Sequence, residues 1–324
     1  MKRREFVINT AITALGASLI TPIEALADDG VTHLESEDVA PDAAFANDFP
    51  LNFVAIGDWG RNGEYHQNEV AKQMGIWAAT NPNKFIVSVG DNFYPKGVVS
   101  EHDPLWHYSF ENVYTAHSLQ DDWYPVLGNH DWGTDPDAQV RYSKISRRWN
   151  MPALYYSKEV NIDKQSGKVL FVFIDTQPIV YDFKEREPEK QLAWIDETLK
   201  NASADVKWKI VIGHHPAYTV GPRIKNYDTL EIRKSLTGIL NKHKVDLYLS
   251  GHEHSLQHLK PEGFTHQFIS GAGSELTEVT AGIPYCRFQA SEHGFMYFSI
   301  NSKKIRVSAI NDSGTVLYQT ELSK

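Results

Sequence analysis

Residues 85–94 have the sequence FIVSVGDNFY, in which an apolar, β-prone run ends at a glycine and is followed at once by a carboxylate. Such a run predicts a buried strand, and the glycine predicts a sharp turn where a ligand can approach the backbone. Asp91 and Tyr94 therefore stand at a predicted strand tip. A single segment of this kind would carry little information, but the arrangement recurs along the chain.

Four further segments combine the end of a strand-like run with a glycine and polar side chains. They are GDWG at 57–60, GNHD at 128–131, GHHP at 213–216 and GHEH at 251–254. Together with GDNFY at 90–94 they supply carboxylates, an amide oxygen, several imidazoles and a phenol. That set of donors is large enough to surround two metal ions rather than one.

The anionic donors point to a trivalent ion. Asp58 and Asp91 are carboxylates, and Tyr94 offers a phenolate, which is a hard donor suited to Fe(III). Asp91 is the best candidate for a carboxylate that the two ions share, because it lies between the Asp58 strand and Tyr94. His254 then completes the trivalent site together with Asp58 and Tyr94.

The neutral donors point to a divalent neighbour. Asn129, His214 and His252 offer an amide oxygen and two imidazoles, which suit Zn(II), Fe(II) or Mn(II) alike. The two-residue step from His252 to His254 lets one short turn serve both ions. The sequence therefore predicts two ions per chain and leaves the identity of the divalent ion open.

The order of predicted elements indicates an α/β fold. Strands are predicted at 52–56, 85–89, 124–127, 169–174, 208–212, 246–249, 266–269, 295–300, 304–310 and 316–322. Helices are predicted at 66–79, 104–114, 137–149, 188–199 and 232–243. Early strands alternate with helices and late ones do not, which favours two sheets packed face to face with helices outside. The candidate ligands would follow the carboxyl ends of strands, the usual position of sites in such sheets.

The ordered motifs D-x-G, G-D-x-x-Y, G-N-H-D, G-H-x-P and G-H-x-H resemble those of the metallophosphoesterases. Tyr94 narrows the resemblance to the purple acid phosphatases, and the small, mammalian-type tartrate-resistant branch fits best. Further similarity lies in FISGAGS at 268–274 and in the closing strands from 294 onward, so that the resemblance covers the chain from about Phe53 to its end. It implies a four-layer α/β/β/α sandwich of two mixed sheets flanked by helices.

The resemblance also implies an activity. Purple acid phosphatases hydrolyse phosphate monoesters with metal-activated hydroxide at a binuclear Fe(III)–M(II) centre, where M is Fe, Zn or Mn. Small-molecule phosphate monoesters are the implied substrates, with phosphoproteins as a second group. His130 matches the family's outer-sphere histidine, which binds the ester oxygen and protonates the leaving group. Two alternatives stay open: a phosphodiesterase with nearly the same ligands, and a non-catalytic metal or phosphate binder.

One position departs from the family pattern. Nine residues after His214, where mammalian-type enzymes carry a second outer-sphere histidine, this chain has Arg223. An arginine can hold phosphate bidentately but cannot shuttle a proton. His215 is a second candidate for substrate binding, and a packing role for it stays equally open. Residues 177–188 (QPIVYDFKEREP) fall where some relatives carry a regulatory loop, and their content does not decide that question.

The amino-terminal sequence predicts export. Residues 1–27 have the charged, apolar and small-residue parts of a signal peptide, and Arg3-Arg4 resembles a twin-arginine signal. An ordinary secretory signal and an uncleaved anchor are the alternatives. We expect a signal peptide at 1–27, a polar and acidic connector at 28–50 and a catalytic domain at 51–324. The expected location is periplasmic or secreted.

Charge and cysteine content restrict the partners. Removal of residues 1–27 takes away three basic and two acidic side chains, so the formal charge changes from −9 to −10. Without basic clusters, the acidic chain is a poor candidate for binding nucleic acid or anionic membranes, and no segment after the leader predicts a membrane span. Cys286 is the only cysteine, which excludes an internal disulfide and effectively excludes thiolate metal ligation.

Overall fold

The computed structural model describes residues 48–324. The predicted signal peptide at 1–27 and nearly all of the predicted connector at 28–50 lie outside the described residues. The described chain enters its first strand at Leu51. Within this part of the chain, no helix is both long enough and apolar enough to cross a membrane.

The described chain contains thirteen strands. They are β1 (Leu51–Ile56), β2 (Phe85–Ser88), β3 (Asp122–Pro125), β4 (Tyr156–Asn161), β5 (Lys168–Phe173), β6 (Val206–Ile212), β7 (Leu247–Ser250), β8 (Leu256–Leu259), β9 (His266–Ser270), β10 (Cys286–Ala290), β11 (Gly294–Ile300), β12 (Lys304–Asn311) and β13 (Val316–Ser323). The α-helices of the described chain are α1 (Gln67–Thr80), α2 (Asp137–Tyr142), α3 (Thr176–Tyr181), α4 (Pro188–Lys200) and α5 (Tyr227–Lys242). A wider, π-helical segment covers Trp106–Glu111.

The strands form two mixed sheets. The first has the order β13-β12-β11-β1-β2-β3, and the second has the order β10-β8-β9-β7-β6-β5-β4. In the first sheet β1, β2 and β3 run parallel, and in the second β5, β6, β7 and β9 do so. The other neighbouring strands are antiparallel.

The two sheets pack face to face through aromatic side chains. Phe53 of β1 meets Phe171 of β5 edge to face, with ring centroids 5.5 Å apart. Phe298 of β11 meets Phe268 of β9 in the same way at 5.8 Å. Large apolar rings that interlock in this way form the dry interior between the sheets.

Helices cover the outer faces. On the first sheet, Trp77 of α1 packs edge-on against Tyr297 of β11 at 5.9 Å. On the second, Ile195 of α4 and Leu236 of α5 share a buried apolar cluster with Val211 of β6. The result is the four-layer α/β/β/α sandwich, and the predicted fold class is confirmed.

This topology brings the predicted ligand loops to one edge. They follow β1, β2 and β3 in the first sheet and β6 and β7 in the second. Because the carboxyl ends of parallel strands meet at the same edge of a sheet, all of these loops converge where the two sheets lie against each other.

Several elements differ from prediction. Strands β4, β8 and β10 and helix α3 were not expected, and the helix predicted at 137–149 ends at Tyr142. Strand β4 is an edge strand whose YSKEVN sequence is mostly exposed, so it lacks the apolar alternation of a strand. Strand β8 (LQHL) is fully buried although two of its four side chains are polar, so its sequence lacks a continuous apolar run. One of them, Gln257, is satisfied because its Oε1 accepts a hydrogen bond from the backbone N–H of Val220 at 2.9 Å.

Candidate metal centre

Four predicted ligands meet around the phenol oxygen of Tyr94. Its Oη lies 3.3 Å from Oδ1 of Asp58, 3.0 Å from Oδ2 of Asp91 and 3.2 Å from Nε2 of His254. Nε2 of His254 also lies 3.5 Å from Oδ1 of Asp58. All four side chains are buried, so this group of oxygen and nitrogen atoms is largely shielded from solvent.

A second group of predicted ligands meets around His214. Its Nε2 lies 3.2 Å from Oδ1 of Asn129, 3.4 Å from Oδ2 of Asp91 and 3.2 Å from Nδ1 of His252. Oδ2 of Asp91 thus belongs to both groups. The sequence predicts that two ions share this carboxylate, and in the structure its Oδ2 lies near a donor of each group.

The spacing of these atoms fits metal coordination. Donors that sit about 2.0–2.2 Å from an ion at right angles to each other are about 3 Å apart. The described separations of 3.0–3.5 Å are close to that value. The group around Tyr94 is rich in carboxylate and phenol oxygen, and the group around His214 is rich in imidazole and amide. The residues present therefore fit two cations of different hardness.

The backbone is distorted where the ligands project. Asp58, Asp91 and His252 have φ values of 59°, 50° and 68°, in the left-handed region that side chains rarely adopt. Such conformations tend to gather at functional sites, where the surrounding structure holds them. Glycine is required beside them, since a Cβ on Gly128 would overlap Asp91 and one on Gly251 would overlap Asp58.

Hydrogen bonds orient the two histidines of the second group. Nδ1 of His214 bonds the backbone carbonyl of Val89 at 2.9 Å, and Nε2 of His252 bonds Oδ2 of Asp228 at 2.7 Å. The remaining nitrogens, Nε2 of His214 and Nδ1 of His252, then lie 3.2 Å from each other. Hydrogen bonds to the outer nitrogen commonly orient metal-binding histidines in this way. Asp228, in the first turn of α5, was not predicted, because no motif surrounds it and its partner lies on another element.

Asp131 organises the loops rather than facing the ligand atoms. Its carboxylate accepts hydrogen bonds from the backbone N–H groups of Asn92, Phe93 and Gly128 at 2.8–3.1 Å, and from Nε2 of Gln139 at 2.8 Å. It thus ties the GDNFY loop to the GNHD loop. The signal for this role was present in the sequence as the last residue of GNHD.

The protonation of Asp91 and His214 reflects their proximity. Burial alone would raise the pKa of Asp91, but the adjacent His214 and its neighbours hold it well below its usual range. Burial alone would lower the pKa of His214, but the Asp91 carboxylate raises it to about 9. Positive charge is thus favoured beside Asp91. A metal ion would supply that charge in place of the His214 proton.

The pKa values of Tyr94 and His252 are shifted in ways that suit different ions. Burial, together with the carboxylates of Asp91 and Asp58, raises the pKa of Tyr94 well above its usual value. The phenol therefore ionises only beside a strong cation. Burial lowers the pKa of His252 to about 4, so its imidazole is neutral and free to donate a lone pair.

His130 stands at the more open side of the centre. Its backbone N–H donates to Oδ1 of Asp91 at 2.8 Å, and its Nδ1 lies 2.7 Å from the carbonyl oxygen of Pro95, which follows Tyr94 through a cis peptide bond. The ring lies against that of Tyr94, with centroids 4.4 Å apart. The Nδ1 contact leaves the other ring nitrogen available to a ligand.

The two candidate substrate-binding residues lie in different surroundings. Arg223 is partly exposed, and both its backbone N–H and its Nη1 contact the buried carboxylate of Glu253, at 2.7 Å and 3.3 Å. His215 is fully buried, and its Nδ1 bonds Oγ1 of Thr176 at 2.7 Å. The structure therefore does not bring His215 to the open side of the centre. Its ring packs against His252 instead, with centroids 4.5 Å apart.

The segment at 177–188 is ordered against the GNHD loop. Its first part lies in α3, and Phe183 packs against Trp132 with ring centroids 5.5 Å apart. Arg186 pairs with Asp137 at 3.0 Å and lies over the Trp132 ring. The segment is therefore held against Trp132, which directly follows the GNHD loop.

Comparison with known proteins agrees with this geometry. Residues 51–256 match the calcineurin-like phosphoesterase family. The chain is 35% identical over 302 residues to purple acid phosphatase 17 of Arabidopsis thaliana, covering 86% of each protein. It is 35% identical over 301 residues to tartrate-resistant acid phosphatase type 5 of Oryctolagus cuniculus, covering 85% of this chain and 91% of that one.

A solved structure is also similar. GAP50, described as the anchor in the inner membrane complex of Plasmodium, has a TM-score of 0.77 and 25% identity, covering 84% of this chain and 88% of that one. The similarity to the phosphatases extends over most of this chain and most of each relative. The chain therefore belongs to the calcineurin-like phosphoesterase family and, within it, to the purple acid phosphatases, as its motifs predicted.

Proposed function

We propose that this protein is an exported acid phosphatase that hydrolyses phosphate monoesters at a binuclear Fe(III)–M(II) centre. Membership of the purple acid phosphatases assigns it to the phosphoric monoester hydrolases. The observation that carries the proposal is the position of Asp91 Oδ2, 3.0 Å from Oη of Tyr94 and 3.4 Å from Nε2 of His214. One carboxylate oxygen between an oxygen-rich and a nitrogen-rich group of donors suits a pair of unlike ions.

We assign Asp58, Tyr94 and His254, with the shared Asp91, to the Fe(III) side. The raised pKa of Tyr94 supports this choice, because a strongly polarising ion is needed to keep its phenol ionised. When bound, the two ions supply charge stabilisation for the phosphoryl group and a water molecule of lowered pKa.

We assign Asn129, His214 and His252, again with Asp91, to the divalent side. Their neutral donors suit Fe(II), Zn(II) or Mn(II). The hydrogen bond from His252 to Asp228 supports this assignment, since it leaves Nδ1 of the imidazole for the ion.

We propose that His130 protonates the leaving-group oxygen of the ester. Its Nδ1 is held by the carbonyl of Pro95, and its backbone N–H is held by Asp91, so the ring has a fixed orientation beside the shared carboxylate. The second ring nitrogen can then carry the proton that the departing alkoxide or phenoxide needs.

We propose that Arg223 contacts the phosphate of the substrate. Its ion pair with Glu253 leaves part of the guanidinium exposed, and a guanidinium can bind two phosphate oxygens at once. Since it cannot deliver a proton, acid assistance falls to His130. For His215, its burial against His252 favours support of that ring over contact with substrate.

The test is a visible absorption spectrum of the purified protein, with metal content determined on the same sample. We expect two metals per chain, at least one of them iron, and a broad visible band that disappears in Tyr94→Phe. A colourless protein that still binds two zinc or manganese ions after oxidation would refute the iron phenolate. The ratio of turnover on a phosphate monoester to turnover on a diester would then decide between phosphatase and phosphodiesterase.

A non-catalytic role is the second candidate, and the likeness to GAP50 favours it, because GAP50 is described as an anchor. The complete set of donors in this chain, with His130 beside it, argues for turnover. Absence of hydrolysis of any monoester by protein loaded with two metals would favour the anchor-like role.

We further propose that residues 1–27 form a cleaved twin-arginine signal peptide, that 28–50 form a connector and that 51–324 form the catalytic domain. Replacement of both Arg3 and Arg4 by lysine should retain the protein in the cytoplasm. Export that is unaffected by this double change would indicate an ordinary secretory signal.

A further inference from the structure

Arg61 lies directly over the proposed phenolate ligand. The carbon at the centre of its guanidinium is 3.7 Å from the centroid of the Tyr94 ring. Arg61 directly follows the GDWG segment that carries Asp58, and the carbonyl of Gly60 accepts a hydrogen bond from the backbone N–H of Tyr94 at 2.9 Å. The stacking therefore joins two loops that already supply ligands.

The guanidinium is fixed by a second contact. Nη2 of Arg61 pairs with Oε2 of Glu275 at 2.5 Å, and the Arg61 side chain is 17% exposed. Among the described residues its Nε has no hydrogen-bond partner. Glu275 follows Ser274, whose hydroxyl donates to the backbone carbonyl of Asp58. Arg61 is thus connected to Asp58 both along the chain, three residues away, and through Glu275, whose neighbour Ser274 contacts Asp58.

A cation in this position acts mainly on the negative form of the ring. A guanidinium is attracted to the face of a neutral aromatic ring by the negative charge of the ring's π electrons. A phenolate carries a full negative charge delocalised over the same ring, so the cation stabilises it further. The stacked charge therefore lowers the energy of the ring electrons that a phenolate shares with iron.

We infer that Arg61 is a positioning residue that tunes the Tyr94 phenolate, weakening its electron donation to Fe(III); this rests on the proposed Fe(III) phenolate centre. Two measurable properties follow. The charge-transfer band lies at shorter wavelength than it would without the cation, because the donor electrons are more tightly held. The Fe(III)/Fe(II) reduction potential is higher, because a fixed positive charge disfavours the more positive ion.

Glu275 has the opposite effect. Its carboxylate sits against the same guanidinium and offsets part of its charge. Removal of the Glu275 charge with retention of the hydrogen-bonding group should strengthen the influence of Arg61. Substitutions at the two positions are therefore expected to shift the band in opposite directions, which a general loosening of the site would not do.

The experiment compares band position and reduction potential in Arg61→Met, Arg61→Lys and Glu275→Gln, each with two metals per chain confirmed. We expect a longer wavelength and a lower potential in Arg61→Met, values near those of the unaltered protein in Arg61→Lys, and a shorter wavelength in Glu275→Gln. Arg306→Met is the matched control. Arg306 also stacks on an aromatic ring, that of Phe49 at 4.5 Å, and pairs with Glu321, but it lies away from the centre.

Three outcomes would overturn the inference. An unmoved band in Arg61→Met with colour and both metals retained would refute it alone, as would shifts of the same sign in Arg61→Met and Glu275→Gln. If Arg61→Met does not fold, the sign of the Glu275→Gln shift still decides. A colourless unaltered protein would refute the iron phenolate itself and the inference with it.

Discussion

Replacing Asp228 by asparagine is the sharpest test of how the divalent side is built. The Asp228 side chain is 10% exposed, and its Oδ2 lies 2.7 Å from Nε2 of His252. Asparagine keeps the shape and one acceptor oxygen but removes the charge. A buried hydrogen bond to a charged group contributes about 1.5–3 kcal/mol, and 1.4 kcal/mol corresponds to a factor of ten. We therefore expect the divalent ion to be bound about 10- to 100-fold more weakly.

The measurement is metal loss during incubation with a chelator, followed by metal analysis and visible absorption on the same sample. Asp228→Asn should lose one ion per chain well before the unaltered protein does. The visible band should persist, because Tyr94 and Asp58 do not contact Asp228. Selective loss of the divalent ion is the result that distinguishes a positioning role from general destabilisation.

Asp196→Asn is the matched control. Asp196 makes a similar contact with a histidine, 2.8 Å from Nε2 of His243, but is more exposed and lies at the surface between α4 and α5. We expect no change in metal retention from it. Equal loss of both ions in Asp228→Asn, or a change of less than about threefold in divalent retention, would refute the reasoning.

Three further predictions concern proton transfer, loop packing and acid stability. His130→Gln should lower the turnover of an alkyl monoester, which has a poor leaving group, by about 10²- to 10⁴-fold. The turnover of a nitrophenyl ester, which has a good leaving group, should change far less. Equal losses on both substrates would contradict the role of His130 as the acid. Gly128→Ala should release metal and destabilise the fold by about 1–3 kcal/mol, because the added Cβ would overlap Asp91. Gly238→Ala in α5 is the control, since the space around Gly238 is open and the change should cause neither effect. Thermal unfolding of the two variants measures the difference. Burial lowers the pKa of His266 to about 4. As the pH falls from about 6.5 to about 4, the unfolded chain therefore binds a proton that the folded chain does not, and the free energy of unfolding decreases by at most about 3 kcal/mol. His266→Gln should flatten this pH dependence when urea unfolding is compared at about pH 4.5 and about pH 7.

The convergence of the candidate ligands could be predicted because local sequence places each of them at the end of a strand. A strand that ends in glycine projects its next polar side chain at a turn, and parallel strands gather such turns at one edge. Asp58, Asp91 and His214 all obey this rule. The prediction that two ions share the Asp91 carboxylate also came from local sequence, since Asp91 lies between Asp58 and Tyr94.

The supporting residues could not be predicted, because their partners come from distant elements. Asp228 meets His252 only when α5 packs beside β7, and nothing in its own segment indicates that contact. Helix α3 was missed for a different reason. Asp175 accepts from the backbone N–H of Gln177 and begins that helix, and Pro178 lies in its first turn. This local capping signal is present in the sequence, but the segment that follows it was expected to be a loop.

The candidate donors come from both sheets, so metal binding would link the two sheets. Asp91 follows a strand of the first sheet and His214 a strand of the second, more than a hundred residues later. Ions held between them would close a loop of that length, a connection that a chain with Cys286 alone cannot make by a disulfide. Because such ions are held only when both sheets are in place, their binding would stabilise the folded chain by mass action. Metal capture and the joining of the sheets then become one equilibrium.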